Sequence, residues 1–465
     1  MRFSIPEILN ITQGILLSGE STSEMLSLST DSRNLQKGDF FLCLVGGKFD
    51  GHDFIEEVVA QGVAGIILQK DRFNSQKNLS PKVSMIGVQD TLRALGDIAQ
   101  AWRRKFEIPL VAITGSNGKT TTKDMTAAIL SEEYRTLATE GNLNNLIGVP
   151  KMLLKLEAGD QAAVIEMGMN DFGEIDRLTE MAEPTVGLIT NVAYAHLEKL
   201  KSLEGVAQAK GELFQKLPKG AVALVNQDDP WISRLPTSAY KITFGMEKPA
   251  DVFCSRYESH SKGMKWSIRY LGKTHEFASS LFGKANLKNA VAAIAVGFSL
   301  GISVEKMQKA LKNFKGRSMR MEKILLKKGK VLLNDCYNAN PSSTQVALET
   351  LKDLKNESPG LAILGEMLEM GDFASEGHRL VGRAVVKNNV EYLITVGPHA
   401  SEIVEGALKE GMKKENCVAF ASQEQMQKTL PDWAEKAKVF LVKGSRGAHM
   451  EKITESLLHH FGKMN

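Results

Sequence analysis

The residues best suited to chemistry lie together in the stretch ITGSNGKTTT, residues 113–122. The apolar run 108–114 predicts a buried strand, residues 115–118 predict a tight loop, and Lys119 opens a predicted helix. This order suits a phosphate group, because glycines let backbone N–H groups converge on an anion. The helix N-terminus and the ammonium group of Lys119 add positive charge at the same point. The stretch therefore predicts a nucleotide-binding site.

The side chains around this loop refine the prediction. Thr120 would offer its hydroxyl to a Mg²⁺ ion bound to the phosphates. Ile113 stands where the common P-loop pattern has its first glycine, so the loop is a variant of that pattern. A glycine-rich turn before a helix is common in proteins, but a Lys-Thr-Thr run after a clean strand favours a phosphate loop. The residues expected to contact the nucleotide here are Gly115, Ser116, Asn117, Gly118, Lys119, Thr120 and Thr121.

Two side chains that could bind a metal ion follow predicted strands. Glu166 ends the strand AAVIE, and His196 follows the strand GLITNV. Because an open α/β sheet presents the carboxyl ends of its strands to a ligand, Glu166 is well placed to hold Mg²⁺. Glu166 could instead be a surface residue at a strand end, and His196 a polar loop residue. The phosphate loop favours the metal interpretation for Glu166.

Lys210 lies on the apolar face of a predicted helix, 202–217, four residues after Val206 and four before Phe214. A lysine at such a position can extend its ammonium group to solvent along the apolar surface. Alternatively, the lysine is paired or chemically neutralised in a site, because a buried ammonium group is costly. Both interpretations remain open from the pattern alone.

Two amide-rich segments could recognise a polar substrate. The segment 141–150, GNLNNLIGVP, and the segment NDCYNANP, which begins at the end of a predicted strand, combine amides with glycine or proline. Such residues form turns, but together they also offer an array of hydrogen-bond donors and acceptors. The residues in question are Asn142, Asn144, Asn145, Asp335, Tyr337, Asn338 and Asn340.

The elements that must position these residues alternate between strands and helices, which predicts an α/β fold in three domains. Residues 1–88 form a small N-terminal α/β domain, and residues 89–316 form a central parallel-sheet domain that contains the phosphate loop. Within the central domain, residues 250–282 are expected to be a β-rich insertion. Residues 317–465 form a Rossmann-like, doubly wound domain that lacks the GxGxxG motif.

The composition of the 465-residue chain limits its partners. There are 58 basic and 54 acidic residues and no interleaved basic and aromatic tract, which argues against a nucleic-acid partner. The four cysteines are widely spaced, as expected for reduced thiols in the cytoplasm. With no signal-peptide pattern and no apolar run of membrane-spanning length, we expect a cytoplasmic protein without membrane insertion. A monomer is expected.

Taken together, these motifs resemble those of the Mur ligases, which build the peptide stem of bacterial cell-wall precursors. TGSNGKTTTKD is similar to the ATP loop of that family, including the missing first glycine. The resemblance covers the whole chain through EGNLNNLIGVP, IEMGMNDFGEI, ITNVAYAHLE, AKGELF, NDCYNANPSS, ILGEMLEMG and VKGSRGAHME. The motifs YNANP and NLNNLIGVP favour the member that adds a dipeptide. The Mur ligase that acts one step earlier, adding diaminopimelate or lysine to the peptide stem, typically carries an Asn-Pro-Arg motif. That motif is absent from the sequence.

The resemblance implies an ATP-dependent ligase that joins D-Ala-D-Ala to UDP-N-acetylmuramoyl-tripeptide through an acyl phosphate, with ATP and two Mg²⁺ ions. The alternative is the preceding ligase, which adds diaminopimelate or lysine to the dipeptide nucleotide. Folylpolyglutamate synthase shares the ATP loop, but the N-terminal segment, which resembles a uridine-nucleotide domain, argues against it. From another class, a P-loop ATPase that performs conformational work would release phosphate without an organic co-substrate.

The resemblance also assigns roles to individual residues. Lys119, Glu166, His196 and Lys210 would form the catalytic group, with Thr120, Glu166, His196 and a carbamate on Lys210 as metal ligands. Asn286 resembles the adenine contact, although the family often has histidine where this chain has Ala285; Arg317 and Asp335 resemble contacts to the phosphate or ribose of ATP. The residues expected to bind the other substrates are Ser32, Arg33, Lys48, His52, Asn142, Asn144, Asn145, Tyr337, Asn338 and Asn340.

Overall fold

A computed structural model describes residues 1–73, 82–260 and 263–464. Residues 74–81, in the predicted N-terminal domain, and residues 261–262, in the predicted β-rich insertion, lie outside the described residues. The chain forms two compact units. The first unit comprises Met1–Ala112, Tyr134–Met169 and Glu174–Thr185, and the second comprises Ile113–Glu133, Asn170–Gly173 and Val186–Asn465.

Strands and helices alternate along the described residues. The strands are β1 (Phe3–Ser4), β2 (Ile15–Ser18), β3 (Glu24–Met25), β4 (Leu28–Ser29), β5 (Phe40–Leu42), β6 (Gly65–Gln69), β7 (Ser84–Val88), β8 (Leu110–Thr114), β9 (Thr136–Ala138), β10 (Ala162–Glu166), β11 (Val186–Ile189), β12 (Val222–Asn226), β13 (Tyr240–Gly245), β14 (Val252–His260), β15 (Gly263–Tyr270), β16 (Lys273–Ser279), β17 (Glu322–Leu326), β18 (Lys330–Asp335), β19 (Gly360–Leu364), β20 (Tyr392–Val396), β21 (Cys417–Phe420) and β22 (Val439–Lys443). The helices are α1 (Ile5–Thr12), α2 (Ile55–Ala60), α3 (Thr91–Arg103), α4 (Lys119–Leu130), α5 (Gly148–Leu153), α6 (Glu174–Ala182), α7 (Leu197–Leu200), α8 (Leu203–Lys216), α9 (Lys284–Ser299), α10 (Val304–Asn313), α11 (Pro341–Lys355), α12 (Ala374–Lys387), α13 (Ala400–Lys409), α14 (Gln423–Glu435) and α15 (Glu451–Phe461). The predicted α/β class is confirmed. Among the described residues, no helix combines the length and apolar character that crossing a membrane requires.

The first unit contains a five-stranded sheet with the order β2-β7-β6-β5-β4. Its strands are parallel except for β2, which runs antiparallel at one edge. Successive residues of β5 point to opposite faces, so Phe40 packs with Ile5 and Leu95 from α1 and α3, whereas Phe41 packs with Val58 from α2. Helices therefore cover both faces, which explains the continuous apolar runs of these strands. The same unit holds the parallel pair β9 and β10, and β10 ends at Glu166.

In the second unit, β11, β12, β13 and β14 are parallel neighbours, and β15 and β16 continue the ladder in antiparallel order. The parallel sheet expected in the central domain is confirmed at β11 and β12, and the β-rich insertion expected at residues 250–282 is confirmed by β14, β15 and β16. The insertion is an extension of the ladder, because β14 pairs with β13. Strand β11 is followed directly by Thr190 and Asn191, which form hydrogen bonds to the phosphate loop.

The second unit also contains a six-stranded sheet with the order β17-β18-β22-β19-β20-β21, parallel except for β17. Adjacent residues of β18 face opposite sides: Leu332 packs with Leu457 of α15, and Leu333 packs with Leu348 of α11. Helices on both faces of a parallel sheet confirm the doubly wound architecture.

Candidate active site

The phosphate loop connects β8 to α4 and depends on two glycines. Gly115 has φ +145°, and a Cβ atom there would lie 1.8 Å from Oγ1 of Thr190. Gly118 has φ +81°, and a Cβ atom there would lie 2.3 Å from Oδ1 of Asn289. Both positions therefore require glycine for backbone conformation and for space. Helix α4 begins at Lys119, as the sequence predicts.

The end of β11 holds the loop in place. The Asn117 carbonyl accepts hydrogen bonds from Oγ1 of Thr190 (2.7 Å) and from Nδ2 of Asn191 (2.9 Å). The Asn117 N–H donates to Oδ1 of Asn191 (3.0 Å), so the Asn191 amide pairs with both backbone groups of one loop residue. Thr190 and Asn191 were not predicted as site residues. Their position at the end of a predicted parallel strand was the available signal.

Lys119 folds back over the loop that precedes it. Its Nζ donates to the carbonyl of Gly115 at 2.7 Å and to the carbonyl of Ser116 at 3.4 Å. Thr120, in the first turn of α4, is buried. The N-terminus of α4, the Lys119 ammonium group and the Thr120 hydroxyl therefore lie within one helical turn, which is the arrangement that phosphate binding requires.

Lys210 is among the largest fully buried side chains, with 1% exposure. It lies on α8 among buried residues that include Val206 and Phe214. Burial, followed by the positive charge of Lys119, holds the pKa of Lys210 well below its usual range. The side chain does not reach solvent, so the extended arrangement considered for an apolar-face lysine is wrong. A depressed pKa favours the unprotonated amine, which is the nucleophilic form of a lysine.

His196 lies immediately before α7 with φ +55°, a conformation that residues other than glycine rarely adopt. Its Nδ1 lies 2.8 Å from Oε2 of Glu369, in the loop that follows β19. The hydrogen bond from His196 holds the pKa of the Glu369 carboxyl below its usual range, with a further contribution from Lys119. Glu369 was not predicted as a site residue. It lies within the motif ILGEMLEMG, but spacing alone does not distinguish it from Glu366.

Glu166, in the first unit, has a buried carboxylate with one unpaired oxygen. Its Oε1 accepts a hydrogen bond from Nδ2 of Asn144 (2.8 Å), and its backbone N–H donates to Oγ1 of Thr139 (2.9 Å). Within the described part of the chain, its Oε2 is buried and has no hydrogen-bond partner. A buried carboxylate oxygen without a partner is costly, and a metal ion would satisfy it. Its environment therefore suits a metal ligand.

The three amides of the segment 141–150 have different surroundings. Asn144 contacts Glu166, as described above. Asn145 accepts hydrogen bonds through Oδ1 from the backbone N–H groups of Ile147 (3.2 Å) and Gly148 (2.8 Å), at the start of α5. Asn142 is exposed. Asn145 thus serves the local turn, and Asn142 retains an accessible amide.

Asn340 connects the segment after β18 to the phosphate loop. Its Nδ2 donates to Oδ1 of Asn117 at 2.8 Å. Its Oδ1 accepts the N–H of Ser343 at 2.8 Å, so the same side chain caps α11. The structure therefore joins Asn117, which is predicted to contact ATP, to Asn340, which is predicted to bind another substrate.

Two predicted site residues, Asp335 at the end of β18 and Asn338 just after it, contact a buried lysine that was not predicted as a site residue. Lys443, at the end of β22, pairs with Asp335 and donates to the carbonyl of Asn338 at 2.8 Å. The Arg320 guanidinium lies 3.8 Å from the centre of the Tyr337 ring. Lys443 ends an apolar strand, as Glu166 does, and that position was the signal for it.

Asn286 and Arg317, which are also predicted to contact ATP, lie outside the phosphate loop. Asn286 is buried in the first turn of α9, where its Nδ2 donates to the Phe282 carbonyl at 2.8 Å. Arg317 is partly exposed, with Nη1 3.8 Å from Oδ2 of Asp124. The structure gives no direct contact between either residue and the phosphate loop, and their nucleotide roles stay predictions.

The predicted uridine-nucleotide residues lie in the first unit. His52 uses both ring nitrogens: Nδ1 is 2.6 Å from Oδ1 of Asp50, and Nε2 accepts the N–H of Gln69 at 3.0 Å. Arg33 is exposed and pairs with Asp31. Ser32 lies in the same short helical turn, and Lys48 is exposed. The accessible groups for a substrate are therefore those of Ser32, Arg33 and Lys48, whereas His52 organises the loop.

Within the described ranges, no cluster of three or more His, Cys, Asp or Glu side chains is arranged to hold a metal ion. The predicted metal ligands would not form such a cluster, because only Glu166 and His196 are of these residue types. The other two ligands are the Thr120 hydroxyl and a carbamate on Lys210. Of these four residues, Thr120, His196 and Lys210 belong to the second unit, and Glu166 belongs to the first.

Comparison with protein-family models covers most of the chain. The model described as Mur ligase family, catalytic domain, matches residues 25–103; Mur ligase middle domain matches residues 113–297; and Mur ligase, glutamate ligase domain, matches residues 319–446. Three successive domains of the expected α/β class are therefore confirmed.

Individual proteins match over nearly the full length. The chain is 33% identical over 456 residues to the Bacillus subtilis protein named UDP-N-acetylmuramoyl-tripeptide--D-alanyl-D-alanine ligase, with 98% of each chain covered. It is also similar to the structure of MurF from Acinetobacter baumannii, with TM-score 0.90, 31% identity and 99% of each chain covered. The structure of MurF ligase from Thermotoga maritima in complex with ADP matches with TM-score 0.82 and 25% identity, covering 93% of this chain and 97% of that one.

Proposed function

The chain belongs to the Mur ligase family, and on this premise we propose that it is the ATP-dependent ligase that joins D-Ala-D-Ala to UDP-N-acetylmuramoyl-tripeptide. The product is the pentapeptide precursor of peptidoglycan, with release of ADP and phosphate. The observation that carries this conclusion is the match over 98% of the chain to a protein of that name. The alternative, addition of diaminopimelate or lysine to the dipeptide nucleotide, is not favoured.

The chemistry explains why ATP is needed. An amine does not displace oxygen from a resonance-stabilised carboxylate at a useful rate. A carboxylate oxygen of the tripeptide therefore attacks the γ-phosphorus of ATP, the bond to ADP breaks, and an acyl phosphate forms. The neutral amine of D-Ala-D-Ala attacks the acyl carbon and loses a proton as phosphate departs. The role of the protein is to hold these groups in line and to offset their negative charge.

The phosphate loop supplies the nucleotide contacts in this proposal. The N-terminus of α4 is proposed to face the phosphates, with Lys119 as the positive charge and Thr121 following Thr120. The N–H groups of Ser116 and Asn117 instead donate to Asn191 and hold the loop in shape. The hydrogen bond between Asn340 and Asn117 supports a site in which the segment after β18 contacts the phosphate loop. Asn286, Arg317 and Asp335 are proposed to contact the rest of ATP.

Mg²⁺, when bound, would neutralise phosphate charge during phosphoryl transfer. We assign its protein ligands to Thr120, Glu166, His196 and a carbamate on Lys210. The unpaired buried oxygen of Glu166 supports its assignment, and the oxygen and imidazole donors are chemically suited to the ion. Two ions are proposed, because the carbamate provides a second anionic ligand.

The carbamate on Lys210 follows from its environment. A neutral amine attacks CO₂, forms a C–N bond and releases one proton, which leaves a carboxylate on the nitrogen. The depressed pKa of Lys210 supports this reaction, because it favours the unprotonated amine, which is the form that attacks CO₂. The change also converts a buried amine beside Lys119 into an anion that the Lys119 charge stabilises.

The substrate domains and residues complete the proposal. We retain boundaries at 1–88 for the uridine-nucleotide domain, 89–316 for the ATP domain and 317–465 for the dipeptide domain. The residues proposed to bind the two organic substrates are Ser32, Arg33, Lys48, Asn142, Asn144, Tyr337, Asn338 and Asn340. His52 and Asn145, also predicted as substrate contacts, are proposed to hold the loops that carry these residues. Cytoplasmic location and a monomeric state stay predictions.

The test of this function is a substrate requirement. Purified protein is supplied with ATP, Mg²⁺ and UDP-N-acetylmuramoyl-tripeptide, with or without D-Ala-D-Ala, and phosphate and product mass are measured. The proposal predicts phosphate release that requires both substrates, together with a pentapeptide nucleotide. Release with the dipeptide nucleotide and a single amino acid would assign the preceding ligase. Release that requires neither substrate would indicate an ATPase.

A further inference from the structure

The contact between His196 and Glu369 joins two loops that are far apart in the sequence. One loop leads from β11 into α7, and the other follows β19 in the six-stranded sheet. The Nδ1–Oε2 distance of 2.8 Å is that of a charge-assisted hydrogen bond. His196 and Glu369 both have positive φ angles, 55° and 62°. Both backbones therefore adopt unfavourable conformations in the arrangement that brings the two side chains together.

The same two loops touch at a second point. The rings of Tyr194 and Phe373 stack, with centroids 5.1 Å apart and an interplanar angle of 30°. Gly371 lies so close to α7, which the first loop leads into, that a Cβ atom there would be 3.1 Å from the Cα of Glu198. The aromatic contact and the close backbone approach fix the two loops against each other, so the imidazole and carboxylate do not meet as isolated surface side chains.

We propose that Glu369 is a positioning residue for the metal site, acting through His196. This inference rests on the proposed function, in which His196 binds a divalent cation. When the Nδ1–H of a neutral His196 donates a hydrogen bond to the Glu369 carboxylate, the other ring nitrogen, Nε2, has a lone pair free for the cation. Histidines that bind metals commonly donate their second N–H to a carboxylate, which fixes both the tautomer and the ring orientation.

The arrangement links cation binding to the position of the six-stranded sheet. Glu369 belongs to the part of the chain proposed to hold the dipeptide, whereas His196 belongs to the part proposed to hold ATP. The His196 ring is therefore oriented for the cation when the loop after β19 is in contact with the loop after β11. By thermodynamic reciprocity, a bound cation also stabilises that contact.

The experiment measures Mn²⁺ binding by the full chain, using the electron paramagnetic resonance signal of free Mn²⁺ without substrates. Glu369→Gln keeps the shape of the side chain but removes the anionic acceptor. We expect its apparent Kd for Mn²⁺ to rise by about 10- to 100-fold. Asp372→Asn is the matched control, because it removes the same charge from an exposed position in the same loop. Its Kd should equal that of the wild-type chain.

Three results would overturn the proposal. An unchanged Kd for Glu369→Gln would remove the positioning role, and a lower Kd would mean that Glu369 competes with the cation for His196. If Glu369→Gln and Asp372→Asn weaken Mn²⁺ binding equally, the effect comes from the loss of one negative charge in this loop and not from the contact with His196. Thermal unfolding of each variant verifies the fold.

A kinetic measurement separates positioning from a structural role. Glu369→Gln should raise the Mg²⁺ concentration needed for half-maximal synthesis, and saturating Mg²⁺ should restore most of kcat. A kcat that stays low at saturating Mg²⁺ would contradict positioning. If the wild-type chain makes no pentapeptide nucleotide, the proposed function fails, but the Mn²⁺ titration still decides whether Glu369 orients His196.

Discussion

Replacing Lys210 with methionine tests the buried amine most directly. Methionine has a similar length and volume but has no amine, so it can neither react with CO₂ nor carry charge. The side chain of Lys210 is 1% exposed and packs among apolar residues of α8. We therefore expect Lys210→Met to fold normally and to lose synthesis.

The expected magnitudes follow from burial and charge. A volume-conserving core replacement usually costs less than about 1.5 kcal/mol. Here the replacement also removes a group whose pKa burial depresses, so the unfolding temperature should stay within a few degrees of wild type. Loss of one charge-stabilising group in a water-excluded site typically lowers kcat by about 10²- to 10³-fold, or about 2.7–4 kcal/mol. We expect Lys210→Met to fall in that range.

The assay compares phosphate release and pentapeptide formation with thermal unfolding for wild type, Lys210→Met and Lys216→Met. Lys216 is an exposed lysine at the end of the same helix, and its replacement should leave synthesis unchanged. Protein supplied with ¹³CO₂ should show a carbamate ¹³C resonance in wild type and Lys216→Met that is missing in Lys210→Met. Near-normal turnover by Lys210→Met would refute the carbamate and its role.

Three further changes test other parts of the site. Gly115→Ala should abolish binding of a fluorescent ADP analogue, because its Cβ would collide with the end of β11, whereas Gly220→Ala, which meets open space, should bind normally. Asn340→Ser should keep the helix cap, so unfolding changes little, but should raise the KM for ATP because the bond to Asn117 is lost. His378 is buried, its Nε2 accepts the N–H of Met367, and burial lowers its pKa from the usual 6.5. Its contribution to stability is therefore complete above pH 6.5 and is lost as the pH falls below that value, so the unfolding temperature of His378→Gln should decline less than that of wild type between pH 7 and pH 5. An equal decline in both proteins would contradict this assignment.

The sequence was most informative where only one residue type, or only one kind of strand, could satisfy the local geometry. The glycines of the phosphate loop are required by backbone conformation and space, and apolar runs covered on both faces predict parallel strands. Helix ends were less predictable. The apolar spacing of residues 91–106 predicts a helix over that whole range. In the structure α3 ends at Arg103, whose buried guanidinium donates to the carbonyls of Phe106 and Ile108. Those contacts depend on the folded chain, so periodicity could not predict them.

The residues that support the site were harder to find. Thr190 and Asn191 hold the phosphate loop through its backbone, and Lys443 pairs with Asp335 across two neighbouring strands. Glu369 reaches His196 from a distant loop. Each is polar at the end of a strand or in a loop, where many polar residues have no role. Only the three-dimensional pairing distinguishes them.

One measurement tests the central claim, that ATP activates the tripeptide carboxylate for attack by the dipeptide amine. UDP-N-acetylmuramoyl-tripeptide carrying ¹⁸O in its terminal carboxylate is incubated with the protein, ATP, Mg²⁺ and D-Ala-D-Ala, and both products are analysed by mass spectrometry. We expect one ¹⁸O atom in the released phosphate and the other in the new amide carbonyl of the pentapeptide nucleotide. Released phosphate without ¹⁸O, or hydrolysis of ATP without the pentapeptide, would contradict it.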